Sequence, residues 1–164
     1  MSDKEPTELE QLASAIDELR QQDRIRQLLA RYCCALDEYD IDGVAKCFSE
    51  NAVTDYGSGR GGLVQGRKNI AARIANSQKS FRHTHHQSGQ TLINLQGLEA
   101  DTVSYQITWH ELHDGSKELA CLRYIDQLKV IDEEWLIVNR RVEVSVVDGF
   151  EGTQWNWVQR KNQV

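Results

Sequence analysis

FRHTHHQSGQTLINL, residues 81–95, packs His83, His85 and His86 into four positions and then runs on as alternating apolar and polar residues. That alternation is the period of a β-strand, whose side chains switch faces at every residue. His86 therefore points to one face, and His83 and His85 to the other. Only one of those sets can look into the protein. A histidine inside a pocket titrates near neutral pH and can take or give a proton there. Along a surface edge the same residues would be ordinary strand positions.

Three more extended stretches follow, at 102–113, 118–131 and 134–147, separated by the short polar connectors QGLEAD, DGSK and DEE. Connectors that short suit antiparallel neighbours. Val103, Tyr105, Ile107 and Trp109 share one face of the second stretch, and Ala120, Leu122, Tyr124, Leu128 and Val130 one face of the third. In the fourth, Leu136, Val138, Val142, Val144 and Val146 form the set, with Arg140 in register. Upstream the period changes to that of a helix. From about residue 8 to residues 37–40, Ile25, Leu28, Leu29, Tyr32 and Leu36 recur at steps of three and four, and Asp23 is placed to cap the second half. A short helix at 42–48, a strand at 52–56, a turn with Gly57, Gly59, Gly61 and Gly62, and a helix at 66–77 complete the chain. The glycines match no phosphate-binding pattern. Helices first and a long antiparallel sheet afterwards predict an α+β domain, with a curved sheet wrapped around the N-terminal helices.

The 164 residues predict one domain over 1–164, with its core at about 20–147, residues 1–7 frayed and 149–164 a tail. The net charge of -6 with scattered basic residues argues against nucleic acid. No apolar run approaches the ~20 residues of a membrane span, and the N-terminus MSDKEPTELE is acidic, unlike a signal peptide. Cys33, Cys34, Cys47 and Cys121 lack CxxC spacing and read as small buried side chains in a reducing compartment, so a cytoplasmic protein is expected. HTHH with His110 and His113 suggests a cupin-type metal site, but that pattern wants a PxG segment, and the only proline is Pro6. Neither a metal nor a cofactor is expected.

RYCCALDEYD, FSENAVTDYG, GRKNIAARI, RHTHHQSGQTLI and EEWLIVNRR occur in that order. Together they resemble the SnoaL-like branch of the nuclear transport factor 2-like superfamily over roughly residues 20–147. The resemblance implies a cone-shaped α+β fold with a deep apolar pocket. The family's members include polyketide cyclases, isomerases and dehydratases, and also non-catalytic β subunits of ring-hydroxylating dioxygenases. It further implies a catalytic Asp37 near the end of the first long helix and a catalytic His86 on the first long strand. Leu92 and Ile93, six and seven residues on, fit the family's strand only if His86 is the histidine chosen. Tyr56 and Tyr32 match pocket tyrosines, the first as a catalytic donor and the second as a substrate contact. Arg140 matches an arginine of several members. His113, sharing the parity of Trp109, answers a second pocket histidine, whereas His110 has the opposite parity; Arg140, Trp109 and His113 are expected to join Tyr32 as substrate contacts.

The dyad's chemistry stands on its own. A carboxylate bonded to one imidazole nitrogen fixes the tautomer and leaves the other nitrogen as a base. A tyrosine hydroxyl can donate to an oxygen where negative charge develops. These groups suit a cofactor-free lyase or isomerase acting on a small hydrophobic, polycyclic or aromatic substrate. The alternative is a non-catalytic binding module or a dioxygenase β-subunit-like partner. Arg140 has a purely structural reading too, paired with Asp126. Strands apolar on both sides, such as LACLRYIDQLKVI, predict a homo-oligomer, dimer or trimer. Trp155 and Trp157 in FEGTQWNWVQ predict a tail lying over the pocket mouth or a subunit boundary.

Overall fold

The computed structural model describes residues 6–149 and 154–161. Three α-helices, α1 (Glu8–Asp37), α2 (Ile41–Lys46) and α3 (Arg67–Gln78), pack against one sheet. Its strands are β1 (Phe48–Asp55), β2 (Leu63–Gln65), β3 (Phe81–Gln96), β4 (Glu99–Leu112), β5 (Lys117–Ile131) and β6 (Glu134–Asp148). Their order is β2-β1-β6-β5-β4-β3, an open α+β sheet with every pairing antiparallel except β1 against β6, which is parallel.

The long helix starts at Thr7 rather than in its middle. The Thr7 hydroxyl accepts the Glu10 N–H at 3.3 Å, and the Glu10 carboxylate accepts the Thr7 N–H at 2.7 Å. This reciprocal capping box satisfies donors that a helix start leaves open. Asp23 lies inside α1 and caps nothing. Ile25, Leu28, Leu29, Tyr32 and Leu36 are buried in the core as one stripe. Each such aliphatic burial is worth roughly 1.5–3 kcal/mol. Before Ile25 the helix stands largely clear of the body, and Leu9, Leu12, Ile16 and Leu19 are exposed. Among the described residues no helix is long and apolar enough to cross a membrane.

Hairpin chemistry fixes the register of the long strands. Ile131 pairs with Glu134, so β5 and β6 join through Asp132 and Glu133 alone, at φ 50° and 66°. Two left-handed residues in succession match the twist of a two-residue hairpin. Two irregularities in the β5–β6 ladder, at Gln127/Leu128 and Cys121/Leu122, change which residues face inward. Each extra residue in a bulged strand reverses the parity beyond it. Trp135 and Ile137 are consequently buried before the first, and Arg140, Val142 and Val144 after it. The single alternation expected for this strand is thus corrected: Leu136 and Val138 are only half-buried and Val146 is exposed. A second correction concerns β4. Its inner face is the polar series Thr102, Ser104, Gln106, Thr108 and His110, while Tyr105 and Ile107 face out and Trp109 is half-buried among them.

Beyond the stretch where β1 pairs with β6, the edge of β6 is taken by the tail. Val144 donates to the Asn156 carbonyl at 2.8 Å, and Val158 donates back to the Val144 carbonyl at 3.0 Å. Gly59 donates to the Gln154 carbonyl at 3.1 Å, and a Cβ there would sit 2.4 Å from the Gln154 nitrogen, so the loop admits only glycine at that point. Residues 150–153 of the expected lid segment lie outside the described residues, as do residues 1–5 of the segment expected to fray.

Candidate active site

The last turn of α1 meets β3 near its start, and the meeting point is a carboxylate. Asp37 Oδ1 lies 2.6 Å from His86 Nδ1 and accepts the Thr84 hydroxyl at 3.0 Å, while Oδ2 accepts the His86 backbone N–H at 2.9 Å. Thr84 and His86 have the same parity, so one face of the strand supplies both side chains. His85, one residue off, is exposed and its ring nitrogen stays 3.7 Å from Asp37. Burial pushes the Asp37 carboxyl pKa up, but the bonds from the His86 ring, its N–H and Thr84 outweigh that and hold it below the ordinary carboxylate value. An ionised Asp37 accepts a hydrogen bond from Nδ1–H and leaves Nε2 as the basic nitrogen of a ring that lines the pocket.

That pocket lies between α1, α3 and the concave face of the sheet, with about 640 Å³ of empty space, part of it continuous with solvent. Tyr32, Tyr56, Phe81, Tyr124 and Trp155 make it strongly aromatic. Tyr32 meets Phe48 and Tyr124 edge to face, both at 5.8 Å between ring centroids. Burial raises the phenol pKa of Tyr32 and of Tyr124, so both remain neutral donors. The Tyr56 hydroxyl is buried and has no hydrogen-bond partner among the described residues. Leaving a buried hydroxyl unpaired costs about 1–3 kcal/mol, which a bound oxygen would recover.

The second histidine in the pocket is His110. In the β3–β4 ladder Thr84 pairs with His110 and His86 with Thr108. Directly opposed residues share a face, so an inward His86 forces His110 inward and Trp109 outward. The same register corrects two expected substrate contacts. Trp109 stands opposite His85 on the outer side. His113 lies past the end of β4, exposed, with Nε2 3.1 Å from the Lys79 carbonyl oxygen, and does not line the pocket. For Arg140 the structural reading, paired with Asp126, holds, and the substrate contact is corrected. It is fully buried, makes two bonds of 2.7 and 2.6 Å to Asp126, and lies 4.3 and 4.0 Å from the Tyr32 and Tyr124 ring centroids, beneath the pocket rather than in it. The parity of Thr102, Ser104, Gln106, Thr108 and His110 was a signal for His110, once His86 was set inward. Trp155 was read from its tail segment, and it does line the pocket, whereas Trp157 is half exposed.

His110 stacks on Phe81 at 4.1 Å and lies 5.5 Å from the His86 ring. Burial, reinforced by His86 and Arg60, pushes its pKa down to about 3, against a smaller opposing pull from Asp37. The folded state therefore holds His110 neutral while the unfolded chain protonates it near 6.5. Its contribution to stability is complete above about pH 6.5 and declines as pH falls toward 3. From pH 7.5 to 5.5, above the range of ordinary carboxylates, the loss comes to about 1.4 kcal/mol, or roughly 3–5 °C in Tm. Thermal melts across that range should show this slope in the parent and a flatter one in His110→Gln. Equal slopes would contradict it.

A family model described as a SnoaL-like domain matches residues 17–141. Among solved structures, a candidate scytalone dehydratase from Novosphingobium aromaticivorans DSM 12444 superposes with a TM-score of 0.82 at 18% identity, covering 88% of this chain and 97% of that one. The hexachlorocyclohexane dehydrochlorinase LinA-type3 from Novosphingobium barchaimii LL02 gives a TM-score of 0.72 at 13% identity, over 86% and 97%. A candidate aromatic ring hydroxylase from Novosphingobium aromaticivorans gives 0.72 at 25% identity, over 78% and 93%. The search of curated proteins found no match.

Proposed function

This chain belongs to the SnoaL-like family, and from that premise we propose that residues 1–164 form one domain acting as a cofactor-free lyase or isomerase on a small, largely apolar substrate. The observation that carries the reading is the 2.6 Å contact between Asp37 and His86 at the wall of an aromatic pocket. His86 Nε2 removes a proton from a carbon next to a carbonyl, and Asp37 stabilises the imidazolium formed. The electron pair moves onto the carbonyl oxygen, which receives the unpaired Tyr56 hydroxyl as a donor. The imidazolium proton then passes to a hydroxyl on the neighbouring carbon, which leaves as water, or to another carbon, shifting the double bond. His110, held neutral, puts no competing charge beside the base.

The test is proton exchange. A cyclic aryl ketone such as 1-tetralone, and β-hydroxy ketones built on it, should lose α-protons to D2O by NMR faster with the protein than without. A protein that binds these ketones and exchanges nothing would fit the second reading. That reading is a non-catalytic small-molecule-binding module or a ring-hydroxylating dioxygenase β-subunit-like structural partner.

A homo-oligomer, dimer or trimer, belongs to the same proposal. The outward side of β4 carries exposed Tyr105 and Ile107 beside half-buried Val103 and Trp109, and Val146 of β6 is exposed too. Apolar faces of this kind are commonly covered by partners. Light scattering at micromolar concentration should give a multiple of 18.8 kDa, and Ile107→Asp should reduce it to the monomer. A monomeric parent would refute this.

A further inference from the structure

The wall of the pocket carries a charge bias that proton transfer at His86 does not need. Among the described residues lining it are Arg60 and Arg73, and no Asp or Glu, although the chain has 25 acidic residues against 19 basic. The nearest carboxylates stand behind the histidines. Asp37 is engaged by His86, and Glu118 lies 3.5 Å from His110. Among the described residues Arg73 makes one hydrogen bond and one ring contact, and neither neutralises it. Its Nη2 donates to the Arg60 carbonyl at 2.8 Å, and its guanidinium carbon lies 3.4 Å from the Tyr56 ring centroid. No carboxylate among the described residues lies within 4.0 Å of it, and its Nε is buried without a partner. Arg60 sits above Trp155 at 5.0 Å. Burial, and then repulsion from Arg73, lower the Arg60 pKa, with Glu118 opposing.

We propose that the pocket takes an organic anion: a small, flat, apolar molecule carrying a carboxylate, seated at Arg73 beside Arg60. The Arg73 guanidinium has no carboxylate partner among the described residues and a buried Nε without an acceptor, and a bound anion supplies acceptors for it. A guanidinium stacked on a tyrosine ring is held in one plane, which suits a planar carboxylate and leaves the aromatic walls for the hydrocarbon body. With its charge at Arg73, the substrate would enter the pocket in one orientation. This names a substrate class for the proposed lyase or isomerase and rests on that reading for the chemistry after binding.

The experiment compares two probes of one shape. trans-Cinnamate carries the carboxylate and cinnamamide replaces it with a neutral amide. Titration calorimetry on the full chain should show cinnamate bound at least about 10-fold more tightly, with the preference shrinking between 50 and 500 mM salt. Arg73→Gln should weaken cinnamate about 10-fold and leave cinnamamide within about twofold, and Arg73→Lys should restore part of the preference. Equal affinity for the two probes, no cinnamate binding up to 10 mM, or an equal loss of both probes in Arg73→Gln and Arg73→Lys would overturn the proposal. The last pattern would mean that Arg73 only braces Tyr56. The readout is binding, so its failure leaves the Asp37–His86 reading standing. Failure of proton exchange with the carboxylate preference intact would remove that reading alone.

Discussion

His86→Ala should lower kcat/KM for any substrate the protein turns over by about 100- to 10,000-fold, the usual worth of a positioned general base. The expectation rests on position. The ring lines the pocket, and its Nδ1 is tied to a carboxylate that also holds the strand's own backbone N–H at 2.9 Å. The Ala variant should fold, because the Asp37 bonds to the His86 N–H and to Thr84 do not involve the ring. Asp37→Asn should retain shape and substrate affinity but lose much of the rate, since a neutral amide cannot stabilise an imidazolium. Steady-state kinetics and a melting curve on both variants decide the matter. Less than about tenfold loss in His86→Ala, with the fold intact, would move the base elsewhere in the pocket.

The largest stability effect should come from Asp126, far from any proton transfer. Arg140 is fully buried and charged. Burial alone would lower its pKa, but Asp126, bonded at 2.7 and 2.6 Å, overrides that. Asp126→Ala strands a guanidinium in the interior and should cost about 3–5 kcal/mol, a large share of the 5–15 kcal/mol that usually separates folded from unfolded chains. Urea unfolding of Asp126→Ala beside the double variant Asp126→Leu/Arg140→Leu separates lost attraction from stranded charge. The double variant should recover much of the loss. If the single variant melts like the parent, the ion pair does not hold the pocket floor. Because Arg140 lies against Tyr32 and Tyr124, any single variant that folds should also bind pocket ligands more weakly.

Much of this was legible because periodicity is a strong signal. The buried face of α1 and the split of His86 from His83 and His85 follow from counting residues, while the choice of His86 as the inward histidine and its meeting with Asp37 were anticipated from the family resemblance. What failed was the rule that the apolar face is the inner face. On β4 the polar residues face inward, Thr108 and His110 lining the cavity, and the apolar ones lie outside or half-buried. A cavity has its own use for a hydroxyl and an imidazole, and an apolar outer face is free to meet other surfaces. His110 was therefore passed over in favour of Trp109 and His113. On β6 the inserted residue around Val138 breaks the alternation, and no residue type there announces it. Arg140 carried two readings, a match to family members and a pairing with Asp126, and its place opposite Asp126 in the ladder decided for the second.

The unsupported first half of α1 should give the helix a steep gradient of amide exchange. Its hydrogen bonds near Leu9 to Leu19 are backed by no core, and a helix of about 15 residues alone in water is marginal. Deuterium should enter there through local fraying, at a rate independent of global stability, while amides from Ile25 onward wait for the whole domain to open. The boundary should fall where Gln21 accepts the Trp135 indole N–H at 2.9 Å and Arg24 reaches the Glu133 carbonyl, the first ties between the helix and the body. Slow exchange N-terminal to that boundary would mean that another surface covers the leucines in solution.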